Sequence, residues 1–146
     1  MVIPQLPASG SSRRMVELSH EEALRLLGTV QLGRVAFSER ALPAIRPVNH
    51  LVEGGDLIVR THGGAALLGR ALLSEVVAYE ADEIDATTRT GWSVVVTGTA
   101  TRVEDPDALA RYHRLLMPWL DAESGQVIRI RPVIVTGYRV VGAERG

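Results

Sequence analysis

The chain has 146 residues, which is enough for one domain with a real hydrophobic core. Hydrophobic residues make up 46% and charged residues 23%, as in ordinary globular proteins, and a net charge of −1 gives no long-range attraction to nucleic acid or to an anionic membrane. The absence of cysteine excludes disulfides, thiolate metal sites and a cysteine nucleophile, and no apolar run approaches the roughly 20 residues that span a bilayer.

The N-terminal segment is rich in Pro, Ser and Gly, and it lacks the apolar stretch of a secretory signal. We therefore expect a cytoplasmic protein with a flexible tail over residues 1–15. One ordered domain follows over residues 16–142, and residues 143–146 form a short second tail.

The first predicted element is a helix that begins after Ser19. The Ser19 side chain can cap it, Glu22 completes a capping box, and Leu18 can pack against Ala23. The apolar spacing that follows is helical, and Gly28 or Thr29 ends the helix.

Three strands are predicted next, over residues 33–38, 44–53 and 56–62. The turn Gly54-Gly55-Asp56 joins the last two as a hairpin. Pro43 and Pro47 indicate an edge or bulged position in the second strand, because proline cannot donate to a ladder.

The second half of the chain alternates helices and strands. A short helix is predicted over 65–73, strands over 76–84 and 92–103, and a helix from the cap Asp105 to about Met117. Residues 127–141 supply one or two further strands, interrupted at Pro132. Short connections favour antiparallel pairing, so the fold class is mainly β (α+β).

Several motifs, taken in order, resemble one known family. The chain is similar to the actinobacterial type of the pyridoxamine 5'-phosphate oxidase-like, FMN-binding split-barrel family over about residues 18–141. The motifs that carry the resemblance are Leu32-Gly33-Arg34-Val35-Ala36-Phe37, Arg46-Pro47-Val48-Asn49, Asp56-Leu57-Ile58-Val59-Arg60-Thr61, Glu80-Ala81-Asp82-Glu83-Ile84-Asp85, Thr88-Arg89-Thr90-Gly91-Trp92-Ser93-Val94 and Gly98-Thr99-Ala100.

The resemblance implies a six-stranded antiparallel split β-barrel with short helices. It also implies a homodimer that holds one flavin mononucleotide (FMN) in each of two clefts between the subunits. The phosphate would lie near the second and third strands and the helix after them, with the ring across the interface. A flavin-dependent oxidoreductase acting on an unassigned small molecule is the implied function.

The predicted phosphate site is centred on Arg60 and Thr61, at the end of a strand and before a Gly-Gly break. A hydroxyl, an arginine and free backbone N–H groups at a helix start suit an anion, and Gly64 belongs to that break. The alternative is a solvated strand-end arginine beside a tight turn. The chain contains no lysine, so a cation that grips phosphate must be an arginine.

The chain departs from the family just after that glycine. Family members carry Ser or Thr and then Lys where this chain has Ala65 and Ala66, so two phosphate contacts are missing. Arg70, one helical turn beyond Ala66, is a candidate to compensate. The departure also motivates a deazaflavin as the alternative cofactor.

The second predicted strand supplies further cofactor contacts. The resemblance places Pro47, Val48 and Asn49 along the flavin ring. Arg46 is a candidate ligand whose alternative is a surface ion pair. Strand alternation puts Arg46 and Asn49 on opposite faces unless Pro47 introduces a bulge.

Trp92 and Ser93 begin the long fifth strand and are candidate contacts to the ring, with a core or interface anchor as the alternative for the tryptophan. The four histidines lack metal-ligand spacing, and we assign no metal site. Besides the FMN oxidoreductase, two functions stay open: a deazaflavin-dependent reductase, and a non-catalytic flavin- or haem-binding protein.

Overall fold

The computed structural model describes residues 13–61, 75–116 and 126–142. Its helices are α1 (His20–Leu27) and α2 (Pro106–Leu115). Its strands are β1 (Arg14–Glu17), β2 (Leu32–Glu39), β3 (Leu42–Glu53), β4 (Asp56–Thr61), β5 (Val76–Ile84), β6 (Gly91–Arg102) and β7 (Gln126–Val141). The helix predicted over 65–73 lies outside the described residues.

Six of these strands close into a barrel. The sheet order is β1-β7-β4-β3-β2-β5-β6, and β6 also pairs with β7, so the ring runs from β7 through β4, β3, β2, β5 and β6 back to β7. Every pairing is antiparallel. The predicted six-stranded antiparallel barrel is confirmed.

The short strand β1 was missed by sequence. It pairs with the end of β7 outside the ring, and all four of its residues are exposed. An exposed strand shows no alternation of apolar and polar residues, which is the signal that sequence reasoning uses. Strand β1 thus begins at Arg14, within the predicted tail over residues 1–15.

Helix α1 closes one end of the barrel and follows its sequence signals. The Ser19 hydroxyl accepts the Glu22 backbone N–H, as predicted for the cap, and the helix ends at Leu27 with Gly28 after it. Ala23, Leu26 and Leu27 are buried against the barrel core. The described part of the core consists chiefly of inward residues at alternate positions of the strands, such as Val35, Phe37, Leu57, Val59, Tyr79, Val94 and Val96.

The two proline-containing strands show how a barrel tolerates proline. Along residues 42–49, β3 pairs with β2, while its pairing with β4 begins at Asn49. Pro43 and Pro47 therefore lie where β3 has one partner among the described strands, which confirms the predicted edge position without a bulge. In β7, a register shift places Ile134 opposite Thr97 and Pro132 opposite Gly98, so one continuous strand absorbs Pro132.

Candidate functional site

Arg60 lies at the centre of the candidate site, beneath the C-terminal end of α2. Its side chain is only 8% exposed, and its Nη1 donates to the carbonyl oxygens of Leu116 at 2.8 Å and His113 at 3.3 Å. These carbonyls belong to the last turn of the helix, whose dipole favours a cation. No carboxylate forms an ion pair with Arg60 in the described part of the chain.

The guanidinium of Arg60 retains hydrogen-bonding capacity. Its Nε is buried and has no hydrogen-bond partner among the described residues. A buried donor without an acceptor costs about 1–3 kcal/mol, more when the group is charged. An anion at Nε would supply both the missing acceptor and a countercharge.

Two other predicted site residues lie beside Arg60. Asn49 is directly opposite Arg60 in the β3–β4 pairing and is 7% exposed. Thr61, 3% exposed, donates its hydroxyl to the Gln126 carbonyl oxygen at 3.4 Å. Thus three of the predicted contacts come from neighbouring positions of two paired strands.

A charged network on β3, β4 and β7 holds α2 over these strands. Glu53 accepts hydrogen bonds from Arg111 and from the Tyr112 hydroxyl, and these two bonds lower the pKa of the Glu53 carboxyl. Arg129 donates from Nη2 to the Tyr112 hydroxyl at 3.1 Å and from Nη1 to Asp56 at 3.1 Å. The helix is therefore fastened at Tyr112 as well as at its C-terminal turn.

A groove of about 500 Å³ runs between the C-terminal ends of the two helices. Its floor is the second half of β3, and its walls come from the residues after α1 and from the end of α2. Its lining residues are Gly28, Val30, Gln31, Asn49, His50, Leu51, Val52, Glu53, Leu115 and Leu116. Of the predicted cofactor residues that the structure describes, Asn49 alone is among them.

Other predicted residues lie apart from this group. Arg46 is exposed and donates to the Ile45 carbonyl oxygen at 3.2 Å; the unshifted β2–β3 register puts it on the opposite face from Asn49. Pro47 is exposed, and Val48 is buried in the core. Gly64 and Arg70, like Ala65 and Ala66, lie outside the described residues.

Trp92 and Ser93 lie on β6. Trp92 is 6% exposed and belongs to the core cluster, which matches the alternative interpretation as an anchor. Ser93 points to the opposite face of the strand, across from Asp82 on β5 and Tyr138 on β7. Their contact with a cofactor stays a prediction.

Sequence reasoning missed a buried polar chain next to the site. His50 Nε2 bonds the Leu27 carbonyl oxygen at 2.7 Å, which makes Nε2 the donor and leaves Nδ1 to accept from the Tyr79 hydroxyl. Burial lowers the pKa of His50, which favours the neutral ring. A Cβ on Gly33 would overlap the Tyr79 ring, so the glycine makes room for the tyrosine.

Neither a metal-binding cluster nor a membrane-spanning helix is found among the described residues. No group of three or more His, Asp or Glu side chains is placed to hold a metal ion within them. No described helix is long and apolar enough to cross a membrane.

Comparison with known proteins agrees with the barrel geometry. A relative in Mycobacterium tuberculosis, the uncharacterized protein Rv0080, is 54% identical over 139 residues, which cover 92% of this chain and 91% of the relative. A structure described as the FAD binding protein from Mycobacterium smegmatis superimposes with a TM-score of 0.71 at 34% identity, covering 85% of this chain and 97% of the other.

A Corynebacterium glutamicum structure that carries the name of the pyridoxamine 5'-phosphate oxidases gives a TM-score of 0.73 at 34% identity, covering 89% of this chain and 96% of the other. The family model described as pyridoxamine 5'-phosphate oxidase matches residues 19–139. Because that match takes in most of the chain, this protein belongs to the pyridoxamine 5'-phosphate oxidase family.

Proposed function

We propose that this chain binds a flavin and uses it in an oxidoreductase reaction on a small molecule. The observation that carries the proposal is the buried Arg60 guanidinium, which has no carboxylate partner among the described residues and an unmet Nε donor. Family membership and the 34%-identical relative described as FAD-binding support a flavin as the anion's source.

The residues around Arg60 fit the phosphate of such a cofactor. Arg60 would hold the phosphate through a charge-assisted hydrogen bond from Nε, while Nη1 keeps its bonds to the end of α2. The Asn49 side chain faces the same side of the sheet as Arg60, because the two residues are paired. The Thr61 side chain faces the opposite side, so its contact with the phosphate stays a prediction. When bound, a flavin supplies two-electron redox chemistry, and the protein's part is to bind and orient it and to exclude water.

The identity of the flavin is a separate proposal. We propose FMN, because the family resemblance implies it, although the relative from Mycobacterium smegmatis is described as binding FAD. The alanines at positions 65 and 66 remove a hydroxyl and an ammonium that the family uses for phosphate. This loss favours a deazaflavin as the second candidate.

A homodimer is also proposed, on the outer face of the barrel. The strand pairings align Ile45, Ala36, Ala78, Thr97 and Ile134 across five strands in one row of small or apolar side chains. Ile45 is 62% exposed and Ile134 is 56% exposed. Such a broad exposed row on a small barrel is typical of a surface that a partner covers, and a second copy of this chain fits the family expectation.

The cofactor proposal is tested by the absorbance spectrum of the protein, by the mass of any released cofactor and by the affinity of the apo protein for FMN. We expect the purified protein to show flavin absorbance and to release FMN, identified by mass spectrometry. In titrations of the apo protein, Arg60→Met should weaken FMN binding by about ten- to a hundredfold, since one charge-assisted hydrogen bond contributes roughly 1.5–3 kcal/mol.

Matched controls and outcomes follow from the same titration. Arg102→Met removes an exposed arginine at the end of β6 and should leave the affinity unchanged. Release of FAD, or preference for a deazaflavin, would show that the cofactor is not FMN but would leave the proposed site at Arg60 unchanged. A protein that takes up none of the three, or an Arg60→Met variant that binds as tightly as wild type, contradicts the proposal.

The dimer is tested by sedimentation of the purified protein. We expect about twice the mass of the chain, and Ala78→Arg should give monomers because it places a charge in the middle of the row. A wild-type protein that sediments as a monomer at micromolar concentration would overturn the dimer. The cytoplasmic location stays a prediction.

A further inference from the structure

The groove between the two helix ends has an electrostatic character that differs from that of the Arg60 site. No arginine is found among the described lining residues, and Glu53, which is paired with Arg111, contributes a carboxylate. Both α1 and α2 present their C-terminal ends there, through Gly28 and through Leu115 and Leu116. Helix C-termini carry partial negative charge. At α2 the Arg60 guanidinium offsets this charge, whereas at α1 the Leu27 carbonyl meets, among the described residues, only the His50 ring, so the α1 side of the groove disfavours an anion.

The floor of the groove contains an open strand edge. The His50 N–H donates to the Gln31 carbonyl oxygen at 2.9 Å, which is the last bond between β3 and the β2 side. Successive residues of a strand direct their backbone groups to alternate sides, so Val52 directs its N–H and C=O to the same side as His50. No backbone hydrogen bond to Val52 on that side comes from any described residue.

The walls of the groove are apolar above this edge. Val30, Leu115 and Leu116 line it, and Leu115 is 58% exposed, so its side chain is accessible to a ligand. A volume of about 500 Å³ lies within the range of small-molecule sites. Asn49 and Gln31 add side-chain amides at the border.

We propose that this groove is a binding site for an uncharged small molecule with a flat apolar body and an amide-like edge. The ligand's C=O would accept from the Val52 N–H and its N–H would donate to the Val52 C=O, as an added strand does at a sheet edge. Phosphate esters and carboxylates should bind in it more weakly than an uncharged ligand of the same shape. The groove borders the anion position at Arg60, since Asn49 and Leu116 line the groove and both adjoin Arg60. The inference does not depend on a flavin.

The two sites share one structural element. Arg60 holds the Leu116 carbonyl oxygen, and the Leu116 side chain lines the groove. The position of the groove wall is therefore tied to the residue that faces the anion. A ligand bound at either site should therefore change the position of the C-terminal turn of α2.

Nicotinamide and nicotinate form a matched pair of probes, because they share a ring and differ in a neutral carboxamide against a carboxylate. We would titrate each into the ¹⁵N-labelled protein as purified and follow backbone and side-chain amide signals. Nicotinamide should shift the Val52 backbone amide and the side-chain amides of Asn49 and Gln31. Nicotinate should bind at least about tenfold more weakly, which corresponds to about 1.4 kcal/mol.

A charge variant tests the reason for the preference. Leu115→Arg places a cation at the end of α2, where the helix dipole tolerates it, and should raise nicotinate affinity relative to nicotinamide. Met15→Arg adds the same charge at a position on β1 that is 65% exposed and should change neither affinity.

Three results would overturn the inference. Shifts that avoid the groove residues, or equal affinity for both probes, remove the proposed recognition. Loss of the nicotinamide shifts when FMN saturates the protein would make the groove the seat of the flavin ring rather than a separate site. Retention of those shifts, with or without FMN uptake, supports the inference, so it can stand even if the flavin proposal fails.

Discussion

Two buried polar side chains, His50 and Arg60, both bond the C-terminal end of a helix, but only His50 has all its hydrogen-bonding groups satisfied by described residues. Each comes from a barrel strand and donates to carbonyl oxygens at the C-terminal end of a helix: His50 to Leu27 of α1, and Arg60 to Leu116 and His113 of α2. The second ring nitrogen of His50 is satisfied by Tyr79, whereas Nε of Arg60 has no acceptor among the described residues.

The difference separates a structural device from a binding site. Buried polar groups in folded proteins are almost always hydrogen-bonded, so a complete chain such as Leu27–His50–Tyr79 needs nothing further. The hydrogen-bond network of Arg60 is incomplete and carries a positive charge, so it can accommodate an anionic ligand. We therefore expect changes around His50 to alter stability and changes at Arg60 to alter binding.

The largest effect is expected from Gly33→Ala. The added Cβ would overlap the hydroxyl and ring of Tyr79, which is fully buried and has no room to move. Overpacking typically lowers the free energy of unfolding by about 1–3 kcal/mol, and the fully buried ring puts this variant at the upper end of that range. Chemical denaturation of the variant measures the loss.

Two comparisons sharpen that experiment. Gly28→Ala should be nearly neutral, because its backbone is α-helical and the nearest atom to an added Cβ is 3.5 Å away. The double variant Gly33→Ala with Tyr79→Ala should be destabilised by less than the sum of its single changes. Strict additivity would show that the Gly33–Tyr79 contact is not the cause.

The next effect concerns the hydrogen bond itself. Tyr79→Phe leaves the buried Nδ1 of His50 without its donor and should cost about 1–3 kcal/mol of unfolding free energy. Tyr138→Phe, at a tyrosine that is 40% exposed, is the matched control and should cost little. Equal effects of the two changes would contradict a special role for the His50–Tyr79 pair.

Local features of this fold were predictable from sequence. The capping of α1 by Ser19 and the edge position of Pro47 depend on neighbouring residues or on the chemistry of one residue. Strand alternation likewise gave the central strands, with β5 at its observed bounds. These signals need no knowledge of which elements meet in space.

The hydrogen-bond networks around Arg60 and around His50 were not predictable from such local signals. Arg60 meets carbonyl oxygens more than 50 positions later in the chain, and Tyr79 meets His50 29 positions earlier. Such partners are set by the closed barrel and by the packing of α2. Sequence reasoning therefore placed Arg60 correctly at the end of a strand but could not foresee the helix end above it.

The pH dependence of stability offers a smaller effect. Because burial lowers the pKa of His50 below its ordinary value of 6.5, the unfolded chain takes up a proton first as the pH falls. The neutral ring therefore contributes stability above pH 6.5, and this contribution is lost as the pH falls towards the lower pKa of the folded state. His50→Gln, which cannot titrate, should lack this loss.

The measurement is the difference in unfolding free energy between wild type and His50→Gln at each pH from 8 to 5. It should narrow by no more than about 1.4 kcal/mol per pH unit below 6.5. Glu80 has the opposite trend, because partial burial and a hydrogen bond with Asp82 raise its pKa to about 7. Glu80 is present in both proteins, so its contribution cancels in the difference between them. A difference in unfolding free energy that stays constant with pH would contradict the role of His50 in the pH dependence.

The smallest effect on stability is expected at Arg60, although that residue is as deeply buried as much of the core. Arg60→Met removes two hydrogen bonds to the end of α2, and it also removes a charge whose burial is costly. These terms oppose each other, so the unfolding free energy of the apo protein should change by less than about 1 kcal/mol. Added FMN should then raise the melting temperature of wild type more than that of the variant, because the variant binds FMN more weakly. If Arg60→Met instead destabilises the apo protein as much as Tyr79→Phe does, Arg60 is a finished structural cap like His50. The anion would then have to be held by residues other than Arg60.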